Sequence, residues 1–432
     1  MIVFPALYIG SQETLAFARD IFAAGLCARV LPVYRPDFVA VHRPPGQYLI
    51  DDFSSVAALC AKLRTWSTEM ASGFSAVLGI DDEDQFSFSS ELAKALSLSF
   101  YSSESLQAAS NKYAMKERFK VAGVPSPRFQ LLSSVEDASN TELSFPNVLK
   151  LVTGSGSEYV FLNQDRRALT DNYKNLRESL ATTAEDTRLN VFVLKIGDRQ
   201  QIIDTRESFL LEEYAGGDEY SCDFLVNKGL VSLLRVTKKF EAGALGLFQG
   251  FWLMSSASLK AKGPGESSLV EVCRRVADAL MIEDGVCMLD FKLDDDRLQV
   301  IETSIRPGFA SFMPLMLGLY GYTSLGVGAR QLLGLGLPAG LPDKEGLVVN
   351  ILAPRAGVIR SIDSSALDVL KEDFQLYGSH FYAESGEEIK DISWDRFSFM
   401  LGWVAVGLKT GDAPSEVMER VKASVRVEMQ DV

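Results

Sequence analysis

The chain has 432 residues, of which 47% are hydrophobic and 23% charged, and its formal net charge is -14. This length is too great for one hydrophobic core, so we expect several domains, and the composition excludes a disordered chain. The acidic balance argues against a nucleic-acid partner, although a buried site can still be locally positive.

Cysteine and histidine content limits the chemistry. The five cysteines are Cys27, Cys60, Cys222, Cys273 and Cys287. Their odd number and scattered positions predict buried free thiols in a reducing compartment. With only His42 and His380, a zinc site or a histidine-dependent triad is hard to build. Any metal should then be a hard cation held by carboxylates.

The apolar N-terminus lacks a basic leader region and a small-residue cleavage site, which favours a first strand over a signal peptide. No uncharged apolar run reaches the length of a membrane span. We therefore expect a cytoplasmic enzyme with no membrane partner.

Residues 1–105 alternate between strand and helix patterns. Strands are predicted at 1–9, 30–34 and 76–80, and helices at 12–24 and 91–96. This alternation favours an open, parallel α/β sheet. No phosphate-binding glycine pattern follows the first strand, so a dinucleotide-binding fold is not favoured.

A helix is predicted at 110–121, capped by Ser110 or Asn111 and ended by Gly123. It carries Lys112 in its first turn, where the helix dipole is already positive. A bound phosphate would resolve that conflict. The alternative is a solvated lysine.

A second lysine, Lys150, lies inside an apolar strand, where it needs a counter-charge. Gly154, Ser155, Gly156 and Ser157 follow it, and the backbone N–H groups of such a loop can wrap a polyphosphate. An ordinary Gly-Ser turn is the alternative.

The strand predicted at 209–213 ends with Glu212 and Glu213. Tyr214, Ala215 and two glycines follow it. Backbone groups just past a strand can contact an adenine edge, and Glu219 can accept both ribose hydroxyls. The alternative is an exposed acidic turn. A hairpin is predicted next, with strands at 220–226 and 230–236.

A later hairpin, with strands at 286–293 and 298–304, carries Asp290 and Glu302. These carboxylates face each other only if the loop is odd in length, which predicts a three-residue loop at 295–297. Two facing carboxylates repel, so they make sense as ligands of a divalent cation. Ser304 shares the face of Glu302, and Arg306 offers a planar fork for phosphate or carboxylate.

The order, spacing and residue types across 110–309 resemble the ATP-grasp superfamily, most closely its carboxylate–amine (L-amino acid or dipeptide) ligases. The resemblance implies an α/β fold, α+β in part. Its parts would be an N-terminal open α/β domain (1–105), a two-part nucleotide-binding domain (106–345, with a small lid at about 145–215) and a C-terminal β-rich subdomain (346–432).

The resemblance also implies residue roles. Lys112 and Lys150 would contact the phosphates of ATP, and the loop 153–159 would cover them. The segment 212–215 would line the adenine and Glu219 would hold the ribose. Asp290 and Glu302 resemble the magnesium carboxylates (Mn²⁺ may substitute).

Arg306 would lie near the transferred phosphate and act in catalysis together with Lys150. The sequence departs from the family pattern at three positions. Ser304 stands where Asn often supplies a third metal ligand, Phe309 replaces a second glycine, and Glu213 replaces an adenine-side lysine.

We therefore predict an ATP-dependent ligase that joins a carboxylate, expected to be an amino acid, to an amine through an acyl phosphate. The C-terminal segment PRAGVIRSI fits this branch but also fits carboxylating enzymes of the purine pathway. A bicarbonate-activating enzyme and a non-catalytic nucleotide-binding protein are the alternatives. Similar proteins are usually homodimers, so a homodimer is expected.

Substrate-binding residues are less clear from the sequence. Arg235, Lys238, Lys239 and the loop 243–252 could approach the carboxylate or amine, or could be surface charge. Phe248, Phe251 and Trp252 could form an apolar pocket or belong to the core.

Overall fold

The structure is a computed structural model that describes residues 1–6, 11–79, 86–154, 159–181, 191–196, 199–243, 245–308, 311–338, 340–389 and 399–430. All structural statements below concern these residues.

The N-terminal part is a parallel four-stranded sheet with the strand order β3-β2-β1-β4. Its strands are β1 (Ile2–Pro5), β2 (Val30–Tyr34), β3 (Leu49–Ile50) and β4 (Ala76–Val77). The helices between and after them are α1 (Ser11–Ala23), α2 (Pro36–His42), α3 (Val56–Glu69) and α4 (Phe86–Ala95). The alternation predicted from the sequence is confirmed, although the strand predicted at 76–80 is shorter.

Two helices, α5 (Ser103–Ser110) and α6 (Lys112–Ala122), lead to a small antiparallel sheet of order β5-β10-β6-β7. The next elements are β5 (Phe129–Leu132), α7 (Val135–Asn140), β6 (Asn147–Leu151), β7 (Phe161–Asn163), α8 (Arg166–Ala181), β8 (Val191–Ile196), β9 (Arg199–Asp204) and β10 (Phe209–Glu213). Buried Leu149, Leu176 and Phe209 form part of the core between this sheet and its helices. We call the sheet β5-β10-β6-β7 the lid sheet.

The central sheet is antiparallel and has the order β15-β14-β11-β12-β13-β16-β20-β18. Its first elements are β11 (Asp218–Asn227), β12 (Leu230–Glu241), β13 (Phe248–Leu253), α9 (Ser256–Lys262), α10 (Glu266–Ala279), β14 (Asp284–Asp294), β15 (Arg297–Ser304), α11 (Phe312–Tyr320) and α12 (Ser324–Leu332). Both hairpins predicted from the sequence are present.

The C-terminal elements are β16 (Gly346–Leu352), β17 (Gly357–Asp363), α13 (Leu367–Asp373), β18 (Leu376–Phe381), β19 (Glu388–Ile389), β20 (Met400–Gly407), α14 (Pro414–Ala423) and β21 (Arg426–Gln430). β16, β20 and β18 extend the central sheet, because β16 pairs with β13. β17, β19 and β21 form a separate small sheet.

Strand alternation divides the central sheet into two faces. Phe224 and Leu289 point into one core with α10 and α14, whereas Leu225 and Val286 point into a second core with α11 and α12. Asp290 lies four residues beyond Val286 and therefore shares the second face. That face is packed against helices at one end and lines a cleft at the other.

None of the described helices is long and apolar enough to cross a membrane. All five cysteines are free, and all except the half-buried Cys27 are buried, as the sequence predicts.

A buried carboxylate, Asp20 on α1, ties the N-terminal part to α12. Asp20 Oδ2 accepts hydrogen bonds from the backbone N–H and hydroxyl of Thr323 at 2.6 and 2.8 Å. Its Oδ1 accepts one from Arg330 at 2.8 Å. Gly326 has to lack a side chain here, because a Cβ would lie 1.9 Å from Asp20 Oδ2.

We predict that Asp20→Asn lowers the free energy of unfolding by roughly 3 kcal/mol, because it leaves Arg330 without its buried counter-charge. Urea unfolding would measure this loss. The matched control is Asp37→Asn, since Asp37 is exposed and forms only a surface ion pair with Arg35. Equal stability of both variants would show that Asp20 does not hold the two parts together.

Candidate active site

A cleft lies between the lid sheet and the central sheet. Ten of the residues predicted to bind nucleotide or metal line it, namely Lys112, Lys150, Gly154, Glu212, Glu213, Tyr214, Ala215, Glu219, Asp290 and Glu302. Ser304 and Arg306 do not line it. Ser155, Gly156 and Ser157 lie outside the described residues. Segments more than 170 residues apart in sequence thus converge on one concave surface.

Lys112 is positioned by the start of α6. Asn111 caps this helix by accepting from the backbone N–H of Ala114 at 3.0 Å, and Gly123 ends it in the left-handed conformation, with φ of 67°. The backbone N–H of Lys112 donates to Val152 at 2.7 Å, which places the helix start beside the end of β6. The Lys112 ammonium then reaches the Gly154 carbonyl and lies 3.5 Å from Glu302.

Lys150 is neutralised by Glu212. Both project from neighbouring strands of the lid sheet, and they form a close ion pair. The other oxygen of Glu212 lies 2.6 Å from the ammonium of Lys116, which is fully buried and also donates to the Val300 carbonyl at 3.0 Å. Lys116 therefore links the lid sheet to β15 of the central sheet.

The neighbouring cations set the ionisation of this group. Burial alone would raise the pKa of Glu212, but Lys116 and Lys150 outweigh it and lower the pKa. Burial lowers the pKa of Lys116 to about 8, although Glu212 opposes the shift.

Asp290 and Glu302 are directly opposite each other on β14 and β15. The three-residue loop predicted to produce this register is wrong. Asp294 pairs with Arg297, so the turn has two residues, and Asp295 adopts a left-handed φ of 50°. A β-bulge beside Asp290 supplies the change of register instead: Phe291 pairs with Val300, which leaves Ile301 as the extra residue.

The two opposed carboxylates ionise differently. Burial raises the pKa of Asp290 to about 6, with Lys239 opposing the shift and Glu302 adding to it. Burial also acts to raise the pKa of Glu302, but Lys112 and Lys150 outweigh it and lower the pKa to about 2. The lysines thus stabilise the ionised form of Glu302 more than that of Asp290.

Glu219 lies between two lysines. Its oxygens are 2.8 Å from Lys239 and 3.3 Å from Lys292. Lys239 also lies 3.0 Å from Asp290, and Lys292 lies 2.6 Å from Glu241. Asp290, Glu219 and Glu241 therefore alternate with Lys239 and Lys292 in one chain of ion pairs.

The donor set fits a magnesium ion that arrives with a nucleotide. Within the described part of the chain, no group of three or more His, Cys, Asp or Glu side chains could hold a metal by itself. Mg²⁺ commonly takes one or two carboxylates and completes its shell with substrate phosphates and water. Asp290 Oδ1 is buried and lies 3.0 Å from the Lys239 ammonium, so this oxygen could bind such an ion once the ammonium moves away.

Ser304 and Arg306 lie at the edge of this arrangement. Ser304 is buried on β15, two residues beyond Glu302 and opposite Met288. Arg306 donates to the Pro307 carbonyl at 3.2 Å. Asp223 anchors Gly308, two residues beyond Arg306, because its carboxylate accepts a hydrogen bond from the backbone N–H of Gly308 at 2.9 Å.

The side chains of the segment 212–215, which was expected to line the adenine, point in different directions. Glu212 points to the lysines, whereas Glu213 contacts Arg128 at 3.1 Å and the hydroxyl of Ser144 at 2.7 Å. Ala215 is buried in the cleft wall. The lysine often found at the position of Glu213 is therefore replaced by a carboxylate with its own partners.

The candidate substrate residues separate into different roles. Arg235 is fully buried, pairs with Asp223 at 2.9 Å and stacks over Phe312 at 4.0 Å, so it supports the core. Lys238 pairs with Asp218 near the surface. Lys239 alone of the three cations lines the cleft.

The three aromatic residues considered for a substrate pocket, Phe248, Phe251 and Trp252, also lie in different surroundings. Trp252 and Phe251 pack into the cores on the two faces of the central sheet. Phe248 is half-buried, with the Lys239 ammonium 4.8 Å from its ring centroid.

The role of Lys116 was not predicted from the sequence. The available signal was its spacing from Lys112, because residues four apart lie on one helix face. Two lysines on the buried side of one helix each require a counter-charge, which is a stronger indication than either alone.

Comparison with known proteins finds similarity in both sequence and fold. Residues 143–311 match the ATP-grasp domain. A curated relative, the L-arginine-specific L-amino acid ligase of Bacillus subtilis, is 25% identical over 201 residues, which are 46% of this chain and 43% of that protein. The chain thus matches less than half the length of this relative.

Solved structures extend the similarity to the whole chain. An L-amino acid ligase from Bacillus licheniformis is 17% identical, with a TM-score of 0.73, covering 100% of this chain and 98% of its own. Biotin carboxylase from Campylobacter jejuni is 14% identical, with a TM-score of 0.64, covering 99% and 92%. At such identities the likeness shows the fold, which confirms the predicted class. The segment 143–311 is thus similar to the ATP-grasp domain, and the whole chain shares the fold of these solved structures.

We predict that Lys116→Met lowers the free energy of unfolding by roughly 3 kcal/mol, because Glu212 stays buried with only one cation. Chemical denaturation would measure the loss. Lys120→Met changes an exposed lysine on the same helix and should shift the stability by about 0.5 kcal/mol or less. A Lys116 variant as stable as the Lys120 variant would contradict this account of Glu212.

For a nucleotide bound in this cleft, the lowered pKa of Lys116 predicts an affinity that depends on pH. Below about pH 8 Lys116 is charged and shares Glu212 with Lys150; above it, Glu212 is left to Lys150 alone. Lys150 is then held more tightly and the cleft loses a positive charge. ADP affinity should fall roughly threefold to tenfold between about pH 7 and pH 9. Calorimetric titration should show this fall in the wild type and not in Lys116→Met.

Proposed function

We propose that this protein is an ATP-dependent ligase that joins a carboxylate to an amine through an acyl phosphate, with release of ADP and phosphate. One observation carries the proposal. Lys112, from helix α6, and Lys150, from the lid sheet, converge on the cleft that also holds the opposed carboxylates Asp290 and Glu302. A cleft with cations and paired carboxylates suits a metal-bound polyphosphate.

In this proposal, Lys112, Lys150 and the loop beginning at Gly154 hold the phosphates of ATP. The adenine lies along the segment 212–215, contacted through backbone groups, because the side chain of Glu212 is committed to Lys116 and Lys150. Glu219 accepts the ribose hydroxyls.

Asp290 and Glu302 would hold Mg²⁺ or Mn²⁺, with the Ser304 hydroxyl as a further oxygen donor. The ion supplies charge neutralisation at the transferred phosphate. The low pKa of Glu302 keeps its carboxylate ionised at neutral pH.

The chemistry follows from positioning. A carboxylate oxygen of the acid attacks the γ-phosphorus in line and ADP leaves, which produces an acyl phosphate. The amine then attacks the carbonyl carbon, phosphate leaves with the original carboxylate oxygen, and the amine loses a proton. Lys150 would stabilise the charge on the transferred phosphoryl group, and Arg306 that on the tetrahedral oxyanion.

We further propose that the acid is an amino acid, supported by the names of the two amino-acid ligases to which the chain is similar. The fold shared with biotin carboxylase keeps bicarbonate as the second candidate. A cytoplasmic location and a homodimer, with small-molecule partners, stay predictions.

The test is ADP release with ATP and Mg²⁺, with amino acids added singly and in pairs and with bicarbonate added alone. We expect release that depends on a pair, because the second amino acid consumes the acyl phosphate. Release with bicarbonate alone would move the proposal to the carboxylating enzymes. The absence of release under every condition would favour nucleotide binding without turnover.

Variants should connect the activity to the cleft. Asp290→Asn should lower the rate of ADP release by a factor on the order of 100 or more, since it weakens the metal site. Asp295→Asn, in the exposed turn of the same hairpin, should leave the rate unchanged within about twofold. Equal effects of the two substitutions would contradict the assignment of Asp290.

A further inference from the structure

Lys239 occupies the centre of the carboxylates in the cleft. It projects from β12 with only 10% of its side chain exposed. Its ammonium lies 2.8 Å from Glu219 Oε1 and 3.0 Å from Asp290 Oδ1, with the Phe248 ring centroid at 4.8 Å. One cation thus bridges two carboxylates from two neighbouring strands.

These are the two carboxylates to which the proposed function assigns the ribose and the metal ion, and the inference rests on that function. We propose that Lys239 is the resident cation of the nucleotide-free cleft, which holds Asp290 and Glu219 and prevents a divalent metal from binding until a nucleotide brings it. Lys239 is therefore a positioning residue that makes metal and nucleotide binding depend on each other.

The need for such a cation follows from the like charges around it. Asp290 faces Glu302 across the hairpin, and Glu219 projects from β11 beside β14. Without Lys239 these groups would repel in a buried site. The hydrogen bond from Lys239 to Glu219 and its ion pair with Asp290 remove that repulsion in the absence of any ligand.

The surroundings of Lys239 also allow its ammonium to move away from Asp290 and Glu219. Glu219 retains Lys292 at 3.3 Å when Lys239 moves, so its charge stays compensated. The face of Phe248 offers the displaced ammonium a cation–π contact. A bare divalent ion would meet the ammonium at close range and be repelled, whereas a metal bound to triphosphate brings an excess of negative charge.

The adjacent lysine provides a matched comparison. Lys238 points away from the cleft, pairs with the exposed Asp218 and lies 6.0 Å from the Tyr220 ring centroid. It has the same charge and the same strand but no contact with Asp290 or Glu219.

The experiment is a titration of the nucleotide-free protein with Mn²⁺, with free Mn²⁺ measured by electron paramagnetic resonance. Lys239→Met should bind Mn²⁺ at least about tenfold more tightly than the wild type, because the competing ammonium is gone. Lys238→Met should match the wild type. In thermal unfolding, Lys239→Met should melt earlier without metal and recover when Mg²⁺ is added.

Lys239→Gln repeats the measurement with a neutral side chain that can still donate to Glu219, in case the methionine variant does not fold. Unchanged Mn²⁺ affinity in the folded Lys239 variants would overturn the proposal, as would equal tightening in Lys238→Met. These readouts need no turnover. A wild type that releases ADP with an amine present, but whose Lys239 variants bind Mn²⁺ normally, would refute this inference alone and leave the proposed function intact.

Discussion

Buried carboxylates require cations, and this constraint organises the cleft. Glu212 lies between Lys116 and Lys150, and Glu219 lies between Lys239 and Lys292. Each carboxylate is shared by two lysines from different strands or helices. The lid sheet and the central sheet are thereby connected through charge as well as through apolar packing. A polyphosphate and its metal can enter such a site by exchanging partners, without creating an uncompensated charge.

Ion pairs within the protein also compensate the charges of the cleft in the absence of a ligand. Every lysine assigned to phosphate or to the metal carboxylates has a carboxylate neighbour within the protein. Lys112 has Glu302, and Lys239 has Asp290. Ligand binding must then displace ion pairs, which lowers net affinity but makes it selective for a ligand that carries both signs of charge. A nucleotide with its metal ion has this property.

Much of the fold could be predicted from the sequence, because local signals were strong. Asn111 and Gly123 define the ends of α6, and the Asp-rich turn marks the β14–β15 hairpin. The pairing of Asp290 with Glu302 was also predictable, but its cause was not. A β-bulge depends on how a strand packs against its neighbours, so residue parity alone suggested an odd loop instead.

The partners of the predicted residues were the less predictable part. Lys116 and Lys239 meet Glu212 and Asp290 only in three dimensions, across sequence separations of about 50 to 100 residues. Residue type indicates that a buried lysine needs a counter-charge but does not say which carboxylate supplies it. Likewise, Arg235 is as compatible with substrate binding as with a buried ion pair until Asp223 is seen beside it.

The central claim is that a carboxylate is activated by phosphoryl transfer. The most direct measurement uses the acid labelled with ¹⁸O in its carboxylate and follows the label by mass spectrometry after turnover with ATP and the amine. The account predicts one ¹⁸O atom in the released inorganic phosphate, because the carboxylate oxygen becomes the bridge of the acyl phosphate. Phosphate without label, formed while the amide product accumulates, would contradict it.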